Sequence, residues 1–161
     1  MSGLGALLAL GALVTLLFTV IGLAFYVLKS IGLYTLANNR GIENSWLAWI
    51  PVADLYIMGL LVGEMDILNY HLDNLGLWCP VIFVGGAVLG RIPVLGVVIQ
   101  LALFIFAIYF LYKLLEKYTP QAVLYTVLSI IPGLFAIFLF IIRNNKIIQG
   151  DGPSAQPPAS Y

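Results

Sequence analysis

The sequence predicts an all-α integral membrane bundle, and three observations carry that prediction. Of 161 residues 62% are hydrophobic and 9% charged, the mean hydropathy is +1.06, and several charge-free stretches are long enough to cross a bilayer. An average soluble domain is about 25% charged, and a chain of this size with so few polar side chains has no shell to face water. That excludes a water-soluble globular enzyme, a disordered regulator and a nucleic-acid binder. Seven Lys and Arg balance seven Asp and Glu, so no global field draws in polyanions. The single cysteine, Cys79, excludes an intramolecular disulfide framework and any cysteine-based zinc cluster.

The expected architecture is four transmembrane helices with a broken third segment, five being the alternative. A hydrocarbon core of about 30 Å takes roughly 20 apolar residues of helix. The first span, about 3–28, holds no ionisable side chain. It lacks the basic flank and the A-x-A site of a cleaved signal peptide, so it reads as a retained helix. Ile31–Ala37 is able to prolong it. Asn38-Asn39-Arg40-Gly41 then stops it, with Gly41 suited to the C′ position. The second span, 46–63, contains Pro51 and Asp54, and Trp46 and Trp49 mark its interfacial end.

Residues 64–76 carry Glu64, Asp66, His71 and Asp73 without a single Lys or Arg, and read as an acidic surface segment with two amphipathic helical turns. The third segment, 77–112, has Trp78 at its start as an interface anchor and is 36 residues long. One straight helix of that length would measure about 54 Å, too much for one crossing. Pro80, Gly85, Gly86, Gly90 and Pro93 predict a break near Arg91, with a half-membrane piece at 77–90 before a full span. The fourth span is 121–142, with a kink at Pro132, and Arg143 and Lys146 anchor its end. The proline- and glycine-rich stretch 150–161 is expected to be a disordered tail. Counting basic residues in the connections puts the N-terminus outside and the first loop inside with either four or five spans.

Leu33-Tyr34-Thr35-Leu36 aligns with Leu111-Tyr112-Lys113-Leu114, each at the end of a long apolar run and each followed by a segment with an Ile-Pro pair. Those pairs are Ile50-Pro51 and Ile131-Pro132, and Ile92-Pro93 repeats the dipeptide again. Duplicated hairpins of this kind build many transporters.

The stretch Asn39-Arg40-Gly41-Ile42 followed by Trp46-Leu47-Ala48-Trp49-Ile50-Pro51-Val52-Ala53-Asp54-Leu55-Tyr56 resembles a family of small bacterial polytopic membrane proteins. In that family a glycine-containing loop leads into a Trp-x-x-x-Ile-Pro-x-x-Asn-x-Tyr helix, then a second Ile-Pro helix and a closing apolar span. The resemblance covers about 30–142 and implies the fold; it brings no assigned chemistry. Asp54 stands where the family pattern has Asn.

Asp54 is the sharpest candidate for a site. A carboxylate within a span costs at least about 2.5 kcal/mol on insertion scales and is a functional hypothesis by default. It either lies hydrated near the tryptophan-rich interface, pairs with Arg91 across the bundle, or holds a proton or cation. Gln100 and Asn69 are able to bond across helices. Gly59-x-x-x-Gly63 and Gly86-x-x-x-Gly90 allow close helix packing. His71 stands alone among carboxylates, which reads as a solvated loop rather than a metal site, and Cys79 reads as packing. No H-E-x-x-H, G-x-S-x-G or P-loop occurs.

The expectation is therefore a multi-pass protein of the cell membrane that is not an enzyme and carries no cofactor or metal. Its partners are the lipid bilayer and either another membrane protein or further copies of itself, with no nucleic acid. Its role is that of an accessory or scaffold subunit; the alternative is a small transporter or channel with Asp54 in the pathway.

Overall fold

The uncharged run that begins at Ser2 continues as helix straight through Lys29. In the computed structural model, which describes residues 2–67, 70–131 and 133–148, α1 spans Ser2–Asn39. At 1.5 Å per residue it is about 57 Å long, nearly twice the hydrocarbon thickness. It ends where expected and for the expected reason. Gly41 takes a φ of 67°, its N–H bonds Asn38 O at 3.0 Å, and the Ile42 N–H bonds Ala37 O at 3.0 Å. Those two bonds make a Schellman motif with Gly41 at C′.

After α1 the chain forms a 3-10 helix at Ser45–Trp49, α2 at Ala53–Val62, a hairpin of β1 (Met65–Ile67) and β2 (Tyr70–Leu72), α3 at Leu75–Leu89, α4 at Leu95–Glu116, α5 at Ala122–Leu128 and α6 at Leu134–Ile142. The all-α class holds, with one addition. The acidic segment expected to form helical turns is an antiparallel pair in which Asp66 faces His71 and Met65 faces Leu72. Met65 is buried and tethers the hairpin to the bundle, while Asp66 and His71 face out.

Among the described residues two helices, α1 and α4, are long and apolar enough to cross a membrane. A four-span bundle does not follow from the structure, because 46–63 and 121–142 are not continuous helices. In 121–142 the chain reverses. The Tyr125 and Phe138 rings stack with centroids 4.4 Å apart, the Asn145 amide donates to Tyr118 O at 2.9 Å, and Ile148 N–H donates to Lys117 O at 2.8 Å. All three pairings are centred, in sequence, on or beside Ile131-Pro132; Pro132 itself lies outside the described residues. Between α1 and α2 the Arg40 guanidinium donates through Nη1 to Leu61 O at 2.5 Å, a pairing centred on Ile50-Pro51.

The third segment breaks at 90–94, as expected, and also turns back. Phe83 packs on Phe106 at 5.6 Å between centroids, Gly86 lies against Leu103, and Gly90 against Gln100. Ile50-Pro51 and Ile92-Pro93 thus each stand at the turn of a helical hairpin, and Ile131 beside another. Proline removes a ladder donor and clashes with the preceding turn, so a helix stops there. In the first two turns the residue after the proline, Val52 or Val94, takes a positive φ of 74° or 68°, a strained value for a β-branched side chain.

The architecture is one long helix followed by three helical hairpins, and the core lies where they meet. Leu33, Leu36, Ile57, Leu61, Leu75, Cys79, Leu114, Leu115, Leu139 and Ile142 are all buried there. Close approach depends on small residues. A Cβ on Gly59 would lie 2.2 Å from Leu75 O, and one on Gly32 would lie 2.8 Å from the backbone of Leu139. The hairpin turns point one way and the polar connections gather at the other end, joined by the Asn39 amide donating to Arg143 O at 3.1 Å.

Candidate functional site: a half-buried ion pair between α1 and α2

Asp54 is the second residue of α2, and the turn at Ile50–Val52 directs it back toward α1. Its N–H bonds Ile50 O at 3.0 Å, closing the first helical turn, and a carboxylate there is favoured by the helix dipole. Its partner is Lys29. Lys29 Nζ donates to Asp54 Oδ2 in a short, charge-assisted contact, with the side chains 22% and 7% exposed. The ammonium also lies 5.2 Å from the centroid of the Tyr26 ring, and the Tyr26 hydroxyl donates to Trp49 O at 2.6 Å. One turn of α1 thereby holds both ends of the segment leading into α2.

Arg91, the partner in one of the three readings of Asp54, is not there. It is exposed in the turn between α3 and α4, its N–H bonded to Val88 O at 3.2 Å. The physical reason is the reversal at 90–94, which carries Arg91 to the hairpin tip. Lys29 was legible as a charge but reads from sequence as the first residue of a loop. Only the continuation of α1 to Asn39 makes it a half-buried residue packed toward α2. The pair is neutral overall, and the Asp54 carboxylate is committed to one cation rather than open to an incoming one.

The remaining sequence candidates are dispersed. Gly59 packs on the Leu75 backbone, Gly86 and Gly90 on side chains of α4, and Gly63 ends α2 with φ 75°. All four therefore serve contacts or turns within this chain. Trp46 and Trp49 are exposed on the 3-10 helix, and Trp78 is exposed on α3. The Arg143 guanidinium stacks 3.6 Å from the Phe140 ring centroid and donates to Phe140 O, while Lys146 is exposed. Cys79 is fully buried in the core. Gln100 lies against Gly90, and Asn69 and the 150–161 tail lie outside the described residues.

His71 is surrounded by carboxylates: Nδ1 is 2.5 Å from Asp66 Oδ1, and Nε2 is 3.1 Å from Asp73 Oδ1 and 3.5 Å from Glu64 Oε2. Glu64, His71 and Asp73 bring donor atoms within 4.8 Å of one another. The hydrogen bond to Asp66 raises the imidazole pKa above its ordinary 6.5, against the opposing effect of desolvation and helped by the charges of Asp66, Asp73 and Glu64. The raised pKa favours the protonated ring, which pins the hairpin, over the neutral ring that a metal needs.

Sequence reasoning missed one further feature, the small-residue ridge of α1. Residues 3–24 are exposed throughout, and Gly11, Thr15, Thr19 and Gly22 fall within one arc of the helix. A Cβ on Gly11 or Gly22 would meet nothing within 4 Å. The threonine hydroxyls bond back to Gly11 O at 2.9 Å and Thr15 O at 2.8 Å, leaving only small, satisfied groups outward. Compared with known proteins, the chain matches no family model, no curated protein and no solved structure.

Proposed function

We propose that this protein is a multi-pass component of the cell membrane that serves as an accessory or scaffold subunit, packing along α1 against another membrane protein or a second copy of itself. The observation that carries the reading is the bare ridge at Gly11, Thr15, Thr19 and Gly22, on the stretch 3–24 of α1 that nothing among the described residues covers. Glycine weakens a helix and is retained in membrane spans where backbones approach closely. Gly32 and Gly59 have such neighbours within the chain, whereas Gly11 and Gly22 have none. A soluble protein would not leave residues 3–24 of α1 and most of α4 uncovered, since exposed apolar patches of that extent mark a membrane or a partner.

Orientation follows from charge. Arg40, Lys113, Lys117, Arg143 and Lys146 lie at or beside the gathered connections, and Arg91 at the hairpin tips. The positive-inside bias then supports cytoplasmic connections and an outside N-terminus. The neutral Lys29–Asp54 pair weighs against the alternative of a conduction path through Asp54.

The test is native mass spectrometry of the gently extracted full chain. A stoichiometric complex, with a second protein or as a homo-oligomer, that is lost on Gly11→Leu with Thr15→Leu is the expected result. A monomer, or a complex indifferent to those substitutions, overturns the subunit reading. A liposome flux abolished by Asp54→Asn would transfer the assignment to the transporter alternative.

A further inference from the structure

Along α1 the side that the hairpins cover below is the side left bare above. Residues seven apart stand nearly in line on a helix, drifting about 20° per step. Three such rows run up α1: Leu8-Thr15-Gly22-Lys29-Leu36, Leu4-Gly11-Phe18-Phe25-Gly32 and Gly5-Ala12-Thr19-Tyr26-Leu33. Their lower members all meet the hairpins. Lys29 pairs with Asp54, the Tyr26 hydroxyl donates to Trp49 O, Gly32 abuts the Leu139 backbone, and Leu33 and Leu36 are buried. Gly133, at the start of α6, sits against the Phe25 ring, which an added Cβ would approach to 2.9 Å. Phe25 and Tyr26 thus mark the level at which the first and third hairpins end. Above it the same rows continue through residues 3–24, about 33 Å of helix, and nothing among the described residues covers them. Leu8 and Phe18 are 67% and 69% exposed there. At the foot of this face the exposed hairpin turns, with Ile50, Val52, Ile130 and Ile131, form an apolar step.

We infer that this face docks one helix of a different membrane protein, and not a second copy of this chain. The face extends an interface the chain already makes, so a helix laid on it continues the packing of α2 and α6 along α1. Its contacting side is apolar, because the Thr15 and Thr19 hydroxyls already donate to α1 carbonyls. It turns large side chains toward Gly11 and Gly22, where an added Cβ meets nothing within 4 Å. It also ends, or turns aside, by the level of Phe25, because the space below is filled. A second copy at the same depth does not meet that condition. Its α1 is unbroken and runs about 21 Å past that level, into the hairpins. Crossing at the roughly 40° of glycine-packed membrane helices would move it aside there by only about 13 Å, little more than one helix diameter, where hairpins flank both sides of the face. Its α4 runs down to the polar connections as well, where Ile148 N–H bonds Lys117 O. An inverted copy sharing residues 2–24 would stand about 80 Å tall, against roughly 30 Å of hydrocarbon.

The inference rests on the subunit reading above, and the two fail separately: a homo-oligomer lost on Gly11→Leu with Thr15→Leu keeps that reading and overturns this one. The experiment places photoreactive benzoylphenylalanine singly at Thr15, Gly22, Ile50 and Leu13 of the full chain in its host membrane, with a differently tagged second copy present. All four positions are exposed, and Leu13 lies on the opposite side of α1 from Thr15 and Gly22, so each change leaves the packing intact. Irradiation from Thr15, Gly22 and Ile50 should give adducts with one and the same apolar helix of a different protein. Their attachment points, sequenced by mass spectrometry, should fall in that order along the helix, with Ile50 at its end, and Leu13 should not reach it. Adducts from Thr15 or Gly22 with the tagged copy overturn the choice of a different protein. Equal adducts from Leu13 and Thr15, attachment points scattered over many proteins, or adducts with lipid alone overturn the docking face.

Discussion

Lys29, in the middle of α1, donates to the carboxylate of Asp54, in the first turn of α2, and both are withdrawn from solvent at 22% and 7% side-chain exposure. Taking one member away leaves the other charged and poorly solvated, whereas replacing both with apolar groups removes the problem. Asp54→Leu and Lys29→Met should each lower stability by about 2–4 kcal/mol, below the range for a fully buried pair because Lys29 keeps some water. The double variant should lie within about 1 kcal/mol of the natural protein. Equilibrium unfolding in a fixed detergent, read as a double-mutant cycle, measures this. Additive losses would mean that the two side chains do not interact.

The stacked rings of Tyr125 and Phe138 give a direct test of the reversal in the last segment. In one straight helix residues 13 positions apart stand about 20 Å from each other. Tyr125→Cys with Phe138→Cys, in a Cys79→Ala background, should link with a short bifunctional thiol reagent in intact membranes. Failure to link, with both thiols shown to react singly, would restore a continuous crossing helix.

Gly59 admits the backbone of Leu75 where any side chain would collide. Its added Cβ would come 2.2 Å from Leu75 O and 2.6 Å from Leu75 C. Gly59→Ala should therefore push α3 away from α2 and cost about 1–3 kcal/mol. Gly5→Ala, where an added Cβ meets nothing within 4 Å, should be neutral or slightly stabilising. Thermal midpoints of the two variants, measured side by side, separate packing from propensity; equal shifts would contradict the contact.

His71 ties the β1–β2 hairpin to pH. Its folded pKa is raised above 6.5, first by the Asp66 hydrogen bond, so the stabilisation it adds is complete below the unfolded value and fades as pH climbs through the folded one. Amide exchange at Met65–Ile67 and Tyr70–Leu72 should accelerate over the window starting at 6.5 and extending above it, beyond the intrinsic pH effect. His71→Gln should remove that excess. A histidine titration by NMR that finds an unshifted ring would sink the explanation.

How much of this was legible beforehand is clearest at particular residues. The end of α1 at Gly41, the break at 90–94 and the division of the chain into apolar segments all follow from local chemistry. A run without charges must be helix in lipid, a glycine at C′ ends one, and a proline beside a positive-φ residue breaks one, whereas α3 runs on through Pro80. Those properties belong to a few neighbouring residues, so the sequence alone determined them, together with the membrane-like composition. What a proline does not carry is the direction of the chain beyond it. A kinked helix that crosses and a hairpin that returns break the same hydrogen bonds, and the choice between them is made by distant faces: Phe138 on Tyr125, Leu61 O on Arg40, Leu75 on Gly59. The partner of Asp54 was decided the same way. Lys29 and Arg91 are both single cations beside apolar runs, and only the packing of α1 against α2 brings one of them within reach. Pairing across the bundle is a property of the assembled surfaces, and no local pattern encodes it.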